Sequence, residues 1–372
     1  MIDLHKRASG PAAYPLPSLL WAVLIGLAGF VTTVSATPTL LIAAGGGGGA
    51  GNNDVAFPSN LDYVNGEPGL AGTAGGPDPA NSNIGPGGTN GSGGGAGPGL
   101  INGGAGGAGW LSKGEKSDLA HGGSPPTDGG AGGIGGNLLP STSHGGFGGG
   151  GGGGFLGGGG GGGYSGGGGG AGQASIRGAG GGSYIIDSFN NVAVNNVSEV
   201  TGKNGNKNGN SMHQGDRGQD GFIAIDGIMY LYTGSIVDWI APTTGTYSFV
   251  VDGAQGGQEA YVYTITGYTT GAAYGGWGAE IKGDLYLTQG EQLELLVGGG
   301  GNSGYCCNNA DYNLTGTGGG GGGSFVFENA VGTSVLEPVS PALFGLGAVA
   351  LGLARRRKKQ QQGVGLNSRF IF

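Results

Sequence analysis

The sequence predicts a mainly β fold, an antiparallel β-sandwich or jelly roll joined to a region dominated by glycine. Between Ile228 and Phe327, short runs rich in β-branched and aromatic residues alternate with turn sequences such as 242–245 (PTTG), which is typical of such folds. Glycine supplies 100 of the 372 residues. A chain with so few side chains cannot bury a large conventional core, so backbone hydrogen bonds must supply much of its order.

Turn chemistry divides the chain into separate predicted strands. Those of the second half are 228–232, 236–241, 246–253, 261–266, 279–288, 291–297 and 324–327. Two more strands are predicted upstream, at 38–44 and 222–225. The run 38–44 (PTLLIAA) is continuously apolar rather than alternating, which indicates a strand buried on both faces. We therefore divide the body into a glycine-rich part, 37–227, and a strand-rich part, 228–330, that form one folded unit.

The glycine runs are densest at 145–172, where 22 of 28 residues are glycine. One interpretation is a flexible linker. The other is a bundle of polyglycine-II helices, extended left-handed helices of three residues per turn whose backbones bond to neighbouring helices. Ordering each residue costs about 1–2 kcal/mol and each net hydrogen bond returns about 0.5–1.5 kcal/mol. Such a bundle must therefore be rooted in a framework of strands.

The N-terminal segment has the organisation of a secretory signal peptide. Lys6 and Arg7 precede an apolar stretch, 19–34, and small residues follow it. This pattern predicts cleavage between Ala36 and Thr37, with an uncleaved anchor as the alternative.

The C-terminal segment has three parts: a motif, an apolar stretch and a basic cluster. The motif is Leu336, Glu337 and Pro338; the apolar stretch is 339–354; the cluster is Arg355, Arg356, Arg357, Lys358 and Lys359. An apolar helix of this length, about 24 Å, is short for a hydrocarbon core of about 30 Å, so the flanking cations must snorkel. Positive charge beyond the helix predicts a cytoplasmic tail, 360–372, and a body outside the cytoplasm.

This tail, 331–359, resembles the PEP-CTERM sorting signal of Gram-negative bacteria, in which a Pro-Glu-Pro motif, a helix and an arginine cluster are recognised by an exosortase that removes the anchor. The resemblance implies two processing partners, signal peptidase and an exosortase-like enzyme, and a cell-surface or extracellular destination. Leu336 stands where the family has its first proline, and residues 360–372 extend past the cluster. A plain membrane anchor is the alternative.

The body resembles the extracellular glycine-rich region of the anaplastic lymphoma kinase and leukocyte tyrosine kinase receptors. The matching elements are 239–242 (WIAP), 253–257 (GAQGG), 293–299 (LELLVGG), 318–327 (GGGGGGSFVF), 40–49 (LLIAAGGGGG), 145–163 and 220–223 (DGFI). The resemblance implies a tumour-necrosis-factor-like sandwich carrying a hexagonal bundle of polyglycine helices. In that family the LLIAAGGGG segment follows the GGGSFVF segment, so the order here is circularly permuted. We therefore expect Pro38 and Phe327 to be neighbours.

Charge and motifs exclude several functions. From Thr37 to Leu336 the chain carries seven Lys or Arg against 21 Asp or Glu, a net charge of −14. Without a basic face, nucleic-acid binding is excluded. No phosphate-loop, kinase or nucleophile arrangement occurs, so we expect a non-enzymatic protein with no cofactor and no metal.

The remaining candidate residues are assigned structural roles. His121, His144 and His213 are expected in solvated loops, and Asp216, Asp220 and Asp226 in turns rather than in a calcium site. Adjacent Cys306 and Cys307 are either free thiols or a strained vicinal disulfide. The aromatic residues expected to pack within the body are Trp110, Phe147, Phe155, Tyr164, Trp239 and Tyr247.

Two functions fit these expectations. The first is a structural or interaction protein of the bacterial surface or biofilm matrix, exported, held briefly in the membrane by its C-terminal helix and then released or re-attached through its tail. The second is a ligand-binding module that holds a protein or glycan partner, as the resemblance to receptor ectodomains implies.

Overall fold

The computed structural model describes residues 37–51, 64–73, 85–98, 103–136, 143–172, 176–202, 217–258, 274–304 and 316–328. All of them belong to one compact unit, Thr37–Asn329. The predicted signal peptide, sorting motif, anchor, basic cluster and strand 261–266 lie outside the described residues, as do both cysteines, His213 and Asp216.

The fold is mainly β, as predicted, with twelve described strands. They are β1 (Thr39–Ala44), β2 (Tyr184–Ile185), β3 (Ser188–Phe189), β4 (Val192–Ala193), β5 (Asn195–Val200), β6 (Phe222–Ile225), β7 (Ile228–Leu231), β8 (Val237–Ile240), β9 (Gly245–Asp252), β10 (Glu280–Leu287), β11 (Gln292–Leu296) and β12 (Ser324–Glu328). A 3₁₀ turn spans Pro126–Asp128. Within the described residues, no helix has the length and apolar character needed to cross a bilayer.

Ten of these strands form two antiparallel sheets of five strands each. Sheet I has the order β2-β1-β12-β11-β8, and sheet II the order β5-β10-β9-β6-β7. The remaining strands, β3 and β4, form a small hairpin. Two tight turns use residues that tolerate positive φ, Asp226 and Gly227 between β6 and β7 (48° and 81°) and Asn190 and Asn191 between β3 and β4 (52° and 60°). Positive φ at both central residues is what the type I′ hairpin turn requires.

A shared apolar core joins the two sheets. Sheet I contributes Leu41, Leu293 and Val326, and sheet II contributes Phe249 and Ile281, together with other buried residues. β10 alternates between half-buried and buried positions along its whole length, as expected for a strand with one face on a core. The packing is consistent with the predicted β-sandwich.

A second apolar core covers the outer face of sheet I. There Trp110, from the glycine-rich part, packs with Leu40, Leu296, Phe325 and Phe327. β1 therefore places Leu41 in the first core and Leu40 in the second. This arrangement confirms burial on both faces for 40–44, whereas Thr39 at the start of the strand is exposed.

The strands of both sheets continue into glycine-rich segments at one end. The segments 45–51, 253–258 and 297–304 leave the C-terminal ends of β1, β9 and β11, while 176–183, 217–221, 274–279 and 316–323 lead into the N-terminal ends of β2, β6, β10 and β12. Antiparallel pairing places all of these ends on the same side of their sheet. The sheets thus supply the framework that the glycine segments need.

The predicted proximity of the two ends of the body is confirmed. β1 and β12 are antiparallel neighbours, with Thr39 opposite Glu328 and Leu40 opposite Phe327.

The strands β2 to β5 are a departure from the sequence analysis, which placed no strand between 184 and 200. This stretch is rich in asparagine, a residue that usually marks turns. Because β5 is exposed along almost its whole length, its sequence does not show the alternation of apolar and polar residues that marks a half-buried strand. The glycine-rich part consequently contributes strands to both sheets.

Candidate functional site: the laterally bonded glycine segments

The segment 45–50 lies at the centre of an array of chain segments. Its backbone N–H groups donate to three neighbouring segments, and a given neighbour recurs every third residue: Gly46 and Gly49 donate to Gly162 and Gly159, Gly47 and Ala50 donate to Ala254 and Gly257, and Gly48 donates to Val64. Its carbonyls accept from three further segments with the same repeat: Gly46 and Gly49 from Gly181 and Gly178, Gly47 and Ala50 from Gly321 and Gly318, and Gly45 and Gly48 from Ala279 and Gly276. One segment therefore bonds to six neighbours.

The segment 158–163 repeats this pattern. Its N–H groups donate to three segments in steps of three residues: Gly158 and Gly161 to Ile176 and Ala179, Gly159 and Gly162 to Gly318 and Gly321, and Gly160 and Gly163 to Ala105 and Ala108. Its carbonyls accept from Gly46 and Gly49, from Gly167 and Gly170, and from Gly151. A β-strand has two hydrogen-bonded neighbours at most. The glycine segments are therefore bonded laterally in a way that a sheet does not allow.

Glycine is required at these positions by space. A Cβ atom on Gly46 would lie 2.4 Å from the carbonyl oxygen of Gly321, and one on Gly161 would lie 2.1 Å from that of Gly46. Both distances are far inside van der Waals contact, and the obstructing atoms are backbone atoms that cannot rotate away. The close approach of the segments therefore depends on the absence of side chains.

Buried hydroxyl groups complete the hydrogen bonding where glycine segments meet other chain segments. Ser183 Oγ accepts from Gly45 N at 3.0 Å and donates to the carbonyl of Glu67 at 2.6 Å. Ser324 Oγ accepts from Gly298 N at 2.9 Å and donates to the carbonyl of Asp252. These serines satisfy buried backbone groups that would otherwise be costly.

Aromatic side chains attach the glycine segments to the sheets. Trp110 packs on Phe327 with a centroid distance of 5.3 Å, and Tyr164 stacks on Tyr184 at 4.8 Å. Burial, with smaller contributions from Tyr164 and Asp187, raises the pKa of Tyr184 above its ordinary value. The predicted packing roles of Trp110 and Tyr164 are confirmed.

The other predicted aromatic residues also lie against the body. Phe147 packs against the second core, with its ring centroid 6.2 Å from that of Tyr232, and Phe155 is half-buried. Tyr247 is buried in the first core. Trp239 packs against that core, and the centroids of the Trp239 and Tyr247 rings lie 5.4 Å apart. Both residues thus lie in or on the core, as predicted.

The polar candidates are dispersed. His121 is exposed, whereas His144 is half-buried and its Nδ1 accepts from Gly135 N at 3.0 Å. Asp220 Oδ1 accepts from Gly300 N at 2.8 Å and pairs with Arg217, and Asp226 Oδ1 accepts from Ser248 N at 2.8 Å. Searching the described ranges alone, no group of three or more His, Cys, Asp or Glu could hold a metal ion. Asp220 and Asp226 therefore each bind a backbone amide.

Comparisons with models of protein families, with curated proteins and with solved structures found no match for this chain.

The sequence predicts 228–232 (IMYLY) as a strand of the sandwich but does not predict its exposed apolar surface. In the structure Ile228, Met229 and Leu231 are 64%, 50% and 63% exposed. The signal was available, because an uncharged apolar run without alternation is unusual for a strand at the edge of a sheet.

Proposed function

We propose that this chain is a non-enzymatic structural or interaction protein of the bacterial surface or extracellular matrix, exported and sorted by an exosortase-like system. The observation that carries the proposal is the lateral bonding of glycine segments to six neighbours. An interior built from backbone amides offers no acid, base or nucleophile, whereas it fixes many chain segments in one rigid arrangement.

We further propose that the glycine segments are polyglycine-II helices in a hexagonal bundle, seated on a jelly-roll sandwich like that of the receptor glycine-rich region. The three-residue repeat of hydrogen-bond partners supports this assignment, since a polyglycine-II helix has three residues per turn. The close approach of backbones also brings Cα–H groups near carbonyls, which adds weak stabilisation.

Hydrogen exchange followed by mass spectrometry tests the bundle. Amides across 145–172 are expected to exchange as slowly as those of β9, and the exposed turn 233–235 serves as the fast reference. Exchange of 145–172 at the rate of that turn would overturn the bundle and favour the linker interpretation.

Export and sorting are tested by the mass of the protein recovered from outside the cytoplasm of an expressing bacterium. We expect a first residue of Thr37 and a last residue near Glu337. A chain that keeps both Met1 and Phe372 contradicts processing at both ends, and one that keeps only Phe372 favours the plain membrane anchor.

The binding-module alternative is distinguished by pull-down from culture supernatant. A saturable protein or glycan partner held by the body would favour it, whereas recovery of the chain without such a partner favours the structural role.

A further inference from the structure

Among the described residues, the outer edge of β7 has no neighbouring strand. β7 pairs with β6 alone, and no described residue pairs with its other side. Asp226 N donates to the carbonyl of Ser248 on β9. Because successive backbone groups of an antiparallel strand alternate in direction, Ile228 and Tyr230 bond to β6. The N–H and C=O groups of Met229 and Leu231 therefore point away from the sheet.

The opposite edge of the same sheet is protected. β5 is polar and exposed, its register with β10 shifts between Lys282 and Asp284, and Asn196 has a φ of 53°. Polar side chains and irregular pairing are the devices that keep edge strands from pairing with other chains. β7 has neither, since the run 228–232 contains no charged residue and pairs with β6 in unbroken register.

The edge of β7 also adjoins an apolar patch on the outer face of sheet II. Leu231 lies opposite the half-buried Phe222, Met229 lies opposite Ala224, and Ala224 lies opposite the half-buried Val250. On β8, the edge strand of sheet I, Ile240 is 58% exposed. β8 follows β7 after the five residues 232–236, so Leu231 and Val237 lie at most about 22 Å apart and the two edges lie at the same side of the molecule.

We propose that β7 pairs in antiparallel fashion with β7 of a second copy of this chain, about a two-fold axis at Tyr230. In this register Met229 of each copy faces Leu231 of the other, and their outward N–H and C=O groups form four backbone hydrogen bonds. Sheet II then continues across the dimer as one sheet of ten strands.

Self-complementarity identifies the occupant as a second copy. In a two-fold dimer the same surface of each copy meets itself, so that surface must be complementary to itself. An uncharged apolar strand meets this condition because it carries no like charges that would repel one another. The exposed apolar side chains of β7 and β8 offer on the order of 500 Å² per copy, about what a specific dimer of ~1,000 Å² in total needs. Asp238 is an exposed acidic residue of β8, whereas the strand that pairs, β7, carries no charged residue. The dimer does not depend on the proposed function.

Sedimentation velocity of the full chain in a mild detergent, which shields the apolar terminal segments, tests the dimer. Wild type is expected to sediment as a dimer at micromolar concentration, and Leu231→Lys as a monomer with the circular dichroism of wild type. The control, Ile134→Lys, introduces the same charge at a residue that is 59% exposed and far from β7 in sequence, and should remain dimeric. A monomeric wild type, or a dimer that Leu231→Lys leaves intact, overturns the proposal.

A cross-linking experiment tests the register without weakening the edge. Tyr230→Cys in a Cys306→Ser and Cys307→Ser background places two thiols at the two-fold axis, where paired Cα atoms lie about 4.5 Å apart and a disulfide can form. Mild oxidation should give a covalent dimer. Ser248→Cys, exposed two strands away on β9, should stay monomeric. Absence of the Tyr230→Cys product, or an equal yield from Ser248→Cys, contradicts the pairing.

Discussion

Each glycine of the central segments lies where a neighbouring backbone occupies the space of a side chain. Gly161 is an example, since its N–H donates to Ala179, its carbonyl accepts from Gly167, and a Cβ would lie 2.1 Å from the carbonyl oxygen of Gly46. Gly69 differs, because its Cβ would meet nothing within 4 Å. Comparing substitutions at Gly161 and Gly69 therefore distinguishes the steric role of glycine from the effect of its backbone flexibility.

Gly161→Ala is expected to destabilise the protein by about 3 kcal/mol or more, because the new methyl group must push apart two hydrogen-bonded backbones. Gly69→Ala is the matched control, and it should change the free energy of unfolding by less than about 1 kcal/mol, with a stabilising sign from the smaller entropy of the unfolded chain. Denaturant titration of both variants measures the difference. Equal changes in the free energy of unfolding would mean that the glycine segments can move apart to accommodate a methyl group at little cost.

Glu328 makes stability depend on pH. Burial first, and the neighbouring Glu291 second, raise the pKa of Glu328 above its ordinary value. A carboxyl group whose pKa rises on folding stabilises the fold when protonated, so its contribution is complete below the ordinary carboxyl pKa and is lost as pH rises through the raised value. Glu328→Gln should therefore melt at a higher temperature than wild type at pH 7. At pH 3, where both side chains are neutral, the melting temperatures should coincide, and an equal difference at both pH values would contradict this cause.

At the scale of elements, the strands with a clear pattern of apolar side chains could be predicted from the sequence. The strand 222–225 was predicted with its observed bounds, and β9 and β10 within one residue, since their apolar residues mark a buried face and their turns mark the ends. The strand β5 was missed because its exposed, asparagine-rich sequence has no such face. The partners of each glycine segment could not be predicted, because a segment without side chains carries no pattern that selects one neighbour over another. Their neighbours are set by the strands that they extend.

Trp110 is the element-scale link between the glycine segments and sheet I. It is 7% exposed and contacts Phe325 and Phe327 of β12. Trp110→Ala is expected to cost about 3–5 kcal/mol and to accelerate amide exchange in 145–172. Leu111→Ala removes the adjacent side chain, which is 69% exposed, and should cost no more than about 0.5 kcal/mol. Similar stability of the two variants would show that the second core does not hold the glycine segments.

At the scale of the whole molecule, the framework comes from strands that are distant in the chain. The glycine segments attached to β9, β10 and β12 all bond to the segment that follows β1, with Gly47 bonded to both Ala254 and Gly321 and Gly45 bonded to Ala279. The two sheets align the segments, and the lateral bonds of the segments in turn join the two sheets. What the fold requires is this arrangement in space, not the order in which the chain visits its parts.

A circular permutant tests that independence of chain order. Thr39 lies opposite Glu328 on adjacent antiparallel strands, so a linker of a few residues can join the end of β12 to the start of β1. New ends opened between Gly234 and Ser235, which are exposed, place β8 to β12 ahead of β1 in the chain. This permutant should keep the melting temperature of the residues 37–329 body to within a few degrees, because it preserves every strand pair. The same linker with ends opened between Phe249 and Val250, inside the central strand β9, should give an unfolded chain, since it divides a strand that pairs on both sides. If both permutants unfold, the connection between the ends is not a short hairpin; if both fold, the pairing of β9 does not depend on an intact strand.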